Sequence, residues 1–141
     1  MKKILIAIDG SKYSDKALFK AKKIAAALEA EVTILHVINP LKDTLYANTR
    51  DLSNELTNFA LKHGEEIIQK AKEIFEGFQG HLNTIIKTGD SVDEIVKFAE
   101  DGGYDLIIMG SRGAGIFSRT LLGSVSDKVV HHSKVSVLIV K

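Results

Sequence analysis

No cysteine occurs among the 141 residues, which excludes disulfides, thiolate metal sites and a cysteine nucleophile. A reducing cytoplasm suits such a chain. An excess of one charge is also missing: 19 basic residues face 18 acidic ones, for a net +1. The two signs are interspersed without a long like-charge block, so nucleic acid is not an expected partner. No apolar run approaches the roughly 20 residues of a membrane span. Met1, Lys2 and Lys3 precede an apolar run that breaks at Asp9, short of the roughly 7 to 15 residues a signal peptide needs. That run therefore reads as a buried strand, with no membrane involvement. What is present is 45% apolar and 26% charged sequence, as in an ordinary globular chain. Residues 1–141 are expected to form one domain, burying about 70% of the surface the unfolded chain exposes.

Periodicity divides the chain into alternating elements. Ile4 to Ile8 is a continuous branched-apolar run, expected of a strand covered on both faces. Ser14 to Leu28 places Ala17, Leu18, Ala21, Ile24, Ala25 and Leu28 on one helix face, with Ser14 as the N-cap. Val32 to Ile38 is a second strand, closed by Asn39 and the single proline, Pro40. Residues 41–52 show no clear period. A long helix follows over Leu52 to Phe75, carrying Leu56, Phe59, Ala60, Ile67, Ala71, Ile74 and Phe75, and Gly77 and Gly80 end it. His81 to Lys87 is a third strand. Ser91 and Glu94 match a capping box for a helix that buries Val92, Ile95, Val96 and Ala99. Leu106 to Met109 is a fourth strand, Leu122 to His131 a helix burying Leu122, Val125 and Val129, and Val135 to Val140 a fifth strand. This βαβαβαβαβ order predicts an α/β fold: a single open parallel sheet of five strands with helices on both faces.

Such sheets bind ligands beyond the carboxyl ends of their strands. Asp9, Asn39, Gly89 and Gly110 stand at those ends. The fourth connection, Gly110 to Ser126, is the most informative, because its glycines let backbone amides approach an anion closely. Ser124 and Ser126 open a helix whose free N–H groups favour phosphate. Arg112 and Arg119 can add charge-assisted contacts. The same glycines also suit a surface loop with a helix cap, and Asp9 also suits a turn that caps the first helix.

Several familiar sites are missing. No Gly-Lys pair occurs, so there is no P-loop, and the residues after Asp9 hold only Gly10, so there is no dinucleotide fingerprint. No Gly-x-Ser-x-Gly elbow surrounds Ser124. The five histidines lack metalloprotease spacing, and His36 reads as a packed strand residue. No catalytic residue and no protein metal site are expected.

Gly110-x2-Gly113-x9-Gly123-Ser124 resembles the ATP-binding motif of the universal stress protein family, G-x2-G-x9-G-[S/T]. The resemblance extends over Ile4 to Ser11, Leu35 to Ile38, Asp105 to Gly113 and the closing Val135 to Val140. It implies a Rossmann-like sheet of order 3-2-1-4-5. It also implies a site in which Asp9 contacts the adenosine portion, Ala7 lies against it and the Val37 backbone recognises adenine. Gly110, Ser111, Arg112, Gly113, Ala114, Gly115 and Ile116 would wrap ribose and phosphates. Gly123, Ser124, Val125 and Ser126 would hold the phosphate chain, with Mg2+ or Mn2+ bound by phosphate oxygens. Ala7 stands where some binders have proline, and residues 40–58 fall where members of the family vary. Members that bind no ATP typically lose motif glycines that this chain keeps.

Under that topology the last strand is an edge, so a homodimer through Val135 to Val140 is expected. The functional expectation is an ATP-binding regulatory protein of the stress response. A slow ATPase or autokinase, and a dimeric module without nucleotide, are the alternatives. The missing P-loop lysine and the absence of an evident base favour binding over turnover.

Overall fold

Ile4 to Ile8 contains no polar residue because protein surrounds it on every side. In a computed structural model that describes residues 2–39, 50–113 and 122–141, with residues 50–54 described by backbone alone, strand β1 (Lys3–Ile8) is the middle of a five-stranded sheet. β2 (Glu31–Ile38) and β3 (Leu82–Thr88) continue the sheet to one side, β4 (Leu106–Gly110) and β5 (Ser136–Val140) to the other. All four pairings are parallel and the order is 3-2-1-4-5, as expected. Ala7 pairs with both Leu35 and Met109, so β1 has hydrogen-bonded neighbours along both edges.

The helices described are α1 (Lys12–Leu28), α2 (Arg50–Ile74), α3 (Ser91–Asp101) and α4 (Ser124–His132). Alternation along β1 sorts them onto two faces. Ile4, Ile6 and Ile8 pack with Ala17, Leu18 and Ala21 of α1 and with Ile68 and Ala71 of α2. Leu5 and Ala7 pack with Ile95 and Ala99 of α3 and Val129 of α4. None of these helices is long and apolar enough to cross a membrane.

Two helix starts differ from expectation for one reason. Gly10, at φ +85°, turns the chain off β1, and the next residue, Ser11, caps α1 by accepting from the Ser14 amide at 3.2 Å. Ser14 is therefore inside the helix, buried, with its hydroxyl donating to the Ser11 carbonyl at 3.1 Å. Gly89, at φ +152°, does the same after β3, and Asp90 rather than Ser91 caps α3 by accepting from the Asp93 amide at 3.1 Å. The last helix starts at Ser124 with Gly123 as its cap, so Leu122 lies outside it.

Two long-range ties complete the frame. Lys22 Nζ donates to the carbonyls of Ile74 and Glu76, at 3.1 and 2.6 Å, binding the end of α2 to α1. Asp105 Oδ2 accepts from the amides of Lys2 and Lys3, at 2.8 and 2.9 Å, and so ties the start of β1 to the start of β4. Those two hydrogen bonds, with the Lys3 charge behind them, hold the Asp105 carboxyl below the usual carboxylate range against a smaller desolvation effect.

A carboxyl whose pKa is lower folded than unfolded (about 3.9) stabilises the fold fully above that value. It loses the effect as pH falls through its folded pKa. Thermal melts should accordingly show Asp105→Asn less stable than wild type at pH 7, with the two curves converging as pH falls through the lowered folded pKa of Asp105. In the core, Ile6 is fully buried, and urea denaturation of Ile6→Ala should show a loss of about 2–5 kcal/mol.

Candidate functional site

β1 and β4 are neighbours in the sheet, but the helices that follow them pack on opposite faces, α1 on one and α4 on the other. The diverging connections leave a crevice at the carboxyl ends of these strands. A cavity of about 620 Å3 occupies it, within the usual range of small-molecule sites.

Most of the sequence-derived residues reach this cavity. Ala7 and Asp9 come from β1 and its end, Val37 from β2, and Gly110, Arg112 and Gly113 from the end of β4 and the connection beyond it. Gly123, Ser124, Val125 and Ser126 come from the cap and first turn of α4. Val37 stands one residue past the last β1–β2 pair, formed by Ile8 and His36. Ala114, Gly115 and Ile116 lie outside the described residues, as do Pro40 and Arg119.

Ser111 is placed differently: it is buried behind the crevice rather than lining it. Its amide donates to the Val140 carbonyl at 2.8 Å, and its own carbonyl accepts from the Gly123 amide at 2.7 Å. The Ser126 hydroxyl lies 2.9 Å from the same Ser111 carbonyl and 3.1 Å from that of Gly123. Ser126 therefore braces the start of α4 with its side chain. Its amide, with those of Ser124 and Val125, belongs to the first turn, where a helix supplies no acceptor of its own.

Close approach explains the glycines. A Cβ on Gly113 would stand 2.6 Å from Asp9 Oδ2. One on Gly123 would stand 3.1 Å from Arg112 Cα and 3.3 Å from the Gly113 nitrogen. The two halves of the motif thus meet backbone to backbone beside the Asp9 carboxylate. Asp9 also serves the turn into α1, since its Oδ1 accepts from the Ser11 amide at 2.9 Å. Gly110 is constrained by the other neighbour: its Cβ would lie 2.7 Å from the Tyr13 carbonyl carbon.

One wall of the crevice was not legible as such. Leu56, Phe59, Ala60, His63 and Ile67 of α2 line the cavity, and Phe59 and His63 stack with centroids 6.4 Å apart. In sequence the first three and Ile67 belong to the apolar stripe of the long helix. α2, at 25 residues, is roughly 37 Å long, whereas the strands have at most 8 residues, roughly 26 Å. Leu56, Phe59 and Ala60, at the start of the stripe, line the crevice instead of joining the core, and Phe59 is 70% exposed. Helix length set against strand length was the available signal. His36 is buried as expected, with Nδ1 3.0 Å from the Ile8 carbonyl, and its ring also faces the cavity.

At the rim, Arg112 Nη1 donates a long hydrogen bond of 3.5 Å to the Tyr13 hydroxyl. That bond, with the charges of Lys12, Arg112 and Lys16, holds the phenol below its ordinary range against an opposing effect of burial.

An open parallel sheet with a glycine-lined crevice between diverging crossovers defines a Rossmann-like α/β protein. The chain belongs to the universal stress protein family, whose sequence profile matches residues 1–141. It is 37% identical to the universal stress protein YxiE of Bacillus subtilis over 146 residues, covering 99% of this chain and 98% of that one. Its fold superposes on the structure of protein MJ0577 of Methanocaldococcus jannaschii with a TM-score of 0.88 and 36% identity, over 99% of this chain and 95% of the other. A universal stress protein solved in complex with cAMP matches with a TM-score of 0.70 and 27% identity, over 99% and 96% of the two chains.

The glycine geometry predicts two different outcomes. Gly110→Ala meets backbone that cannot swing aside and should lose about 1–3 kcal/mol in urea denaturation. Gly113→Ala meets only the tip of an exposed carboxylate, so its stability should stay within about 1 kcal/mol of wild type. Its crystal structure should show Asp9 turned away from residue 113.

Proposed function

We propose that the crevice holds an adenine nucleotide, ATP accompanied by Mg2+ or Mn2+, and that the protein acts as a nucleotide-dependent regulator in the stress response. The observation that carries this reading is the meeting of the Gly113 and Gly123 backbones at the N-terminus of α4, next to Asp9. Free first-turn amides and the positive end of the helix dipole suit a phosphate group. The apolar wall of Leu56, Phe59 and Ala60 suits a base and ribose edge on the opposite side. In this reading the Val37 backbone meets adenine, Asp9 and Ala7 meet the adenosine portion, and Gly110 to Gly113 follow ribose and phosphates. Ser124, Val125 and Ser126 receive the phosphate chain through their amides. The relative solved with cAMP supports an adenine ligand.

The described residues hold no group of three His, Asp or Glu side chains that could bind a metal ion. A divalent ion in this site would take its oxygens from the phosphates and neutralise part of their charge. Holding is favoured over turnover by the side chains at hand. The Ser126 hydroxyl is engaged with backbone carbonyls, and the His36 ring has Nδ1 on the Ile8 carbonyl.

The edge strand β5 carries the second part of the proposal, a homodimer formed through Val135 to Val140. Two such edges can pair and cover each other's half-buried Val137 and Ile139.

Calorimetry with millimolar Mg-ATP should show saturable binding, and Gly123→Val should abolish it, because the added Cβ stands in the gap between Arg112 and Gly113. Absence of binding, together with no nucleotide released on acid denaturation of fresh protein, would sink the reading. ATP turnover above background that disappears in Gly123→Val would replace the regulator with an enzyme. Light scattering at micromolar protein should give twice the 15.4 kDa chain mass, and a monomer would remove the β5 dimer.

A further inference from the structure

Basic and acidic residues are interspersed along the chain, yet the fold gathers three cations at one point beside the crevice. Around the ring of Tyr13, in the first turn of α1, lie Lys12 Nζ at 5.4 Å from the centroid, Lys16 Nζ at 5.5 Å and Arg112 Cζ at 5.7 Å. Lys12 and Lys16 are exposed, and neither forms an ion pair with a carboxylate of the described residues. Asp15, the acid between them, is engaged by Lys70 at 2.9 Å. The ring's negative face offsets only part of the charge that Lys12 and Lys16 bring there. An anion arriving there would relieve the remainder.

The position of the cluster says which anion. Arg112 belongs to both places: it lines the crevice, its Cα adjoins Gly123, and its guanidinium rests on Tyr13. Tyr13 is held there by its own backbone, which packs against Gly110 where a side chain at 110 would stand.

We propose that Lys12, Lys16 and Arg112, gathered on Tyr13, form a second anion subsite that takes the distal phosphates of a nucleoside triphosphate and so separates ATP from AMP. This rests on the nucleotide reading above. The amides opening α4 receive the phosphate chain where it enters the crevice. Charge further along the chain needs a second receptor, and the cluster adjoins the first. Arg112 supplies a fork matched to phosphate oxygens and the lysines supply point charges. Tyr13 keeps Arg112 in place until phosphate displaces the phenol. The depressed phenol agrees with that contact, and loss of Arg112 to a ligand would return it toward the ordinary value of about 10.

The test is calorimetry with Mg-ATP and AMP at one fixed ionic strength, on wild type and on the Lys12→Gln/Lys16→Gln double variant. Wild type should bind ATP at least about tenfold more tightly than AMP, and the double variant should narrow that ratio roughly three- to tenfold with AMP affinity unchanged. Lys12→Arg/Lys16→Arg should restore the ratio. As a second readout, protein labelled with 3-fluorotyrosine contains three tyrosines, and the 19F resonance missing from Tyr13→Phe should shift with ATP but not with AMP. If both nucleotides bind and the ratio is the same in the double variant, or if ATP binds without moving that resonance, the subsite is overturned and the nucleotide site stands. If neither nucleotide binds to wild type, both fall together.

Discussion

The backbone of one residue carries an unusual share of the connectivity at the carboxyl end of the sheet. The amide of Ser111 is bonded to Val140 and its carbonyl to both the Gly123 amide and the Ser126 hydroxyl. The end of β4, the end of β5 and the start of α4 are thereby held to a single residue. Its burial strengthens the constraint, since breaking any of these bonds would leave a polar group without water. The first turn of α4 is aimed into the crevice because this residue holds it there, and Gly113 and Gly123 meet because one follows Ser111 by two residues and the other is hydrogen-bonded to its carbonyl.

That anchoring accounts for the small residues around it. Gly110, Gly113 and Gly123 each sit where another group comes within about 3 Å of the missing Cβ, much closer than ordinary van der Waals contact. The groups that crowd them are the Tyr13 backbone, the Asp9 carboxylate and the Arg112 backbone, which belong to α1 or to the segments that open the crevice. The glycines therefore bring the first helix and the last helix to the same few ångströms of space. The crevice and the cation cluster both arise from that convergence.

What the sequence revealed depended on how far apart the cooperating residues are. Strands buried on both faces, such as Ile4 to Ile8, contain no polar position and stand out in any short window. Strand order does not, because it depends on which face each crossover takes, and here it came from family resemblance. The helix starts were misplaced where two capping residues compete locally. Ser11 and Asp90 win over Ser14 and Ser91 because each immediately follows a glycine that turns the chain off a strand. The glycine motif was legible, as was its pairing with Asp9 through the resemblance, whereas the α2 wall was hidden inside a stripe that also serves the core. The gathering of Lys12 and Lys16 with Arg112 around Tyr13 had no local trace, since Arg112 and Tyr13 are 99 residues apart.

α2 is supported unevenly. Ile68, Ala71 and Phe75 are buried against the sheet, and Lys22 grips the carbonyls at its end, whereas Phe59 projects over the crevice largely uncovered. Mechanically this is a cantilever clamped at one end. The support reaches as far as Gly64, which is buried with its missing Cβ 3.1 Å from the His36 ring and 3.4 Å from Ile38; Phe59 lies 5 residues beyond it, about 8 Å along a helix axis, so a tilt of about 10° there displaces it by about 1 Å. The stiffness of the helix transmits such a movement to the outer surface undiminished, so the close packing of Gly64 on His36 and Ile38 sets how far the crevice wall can swing.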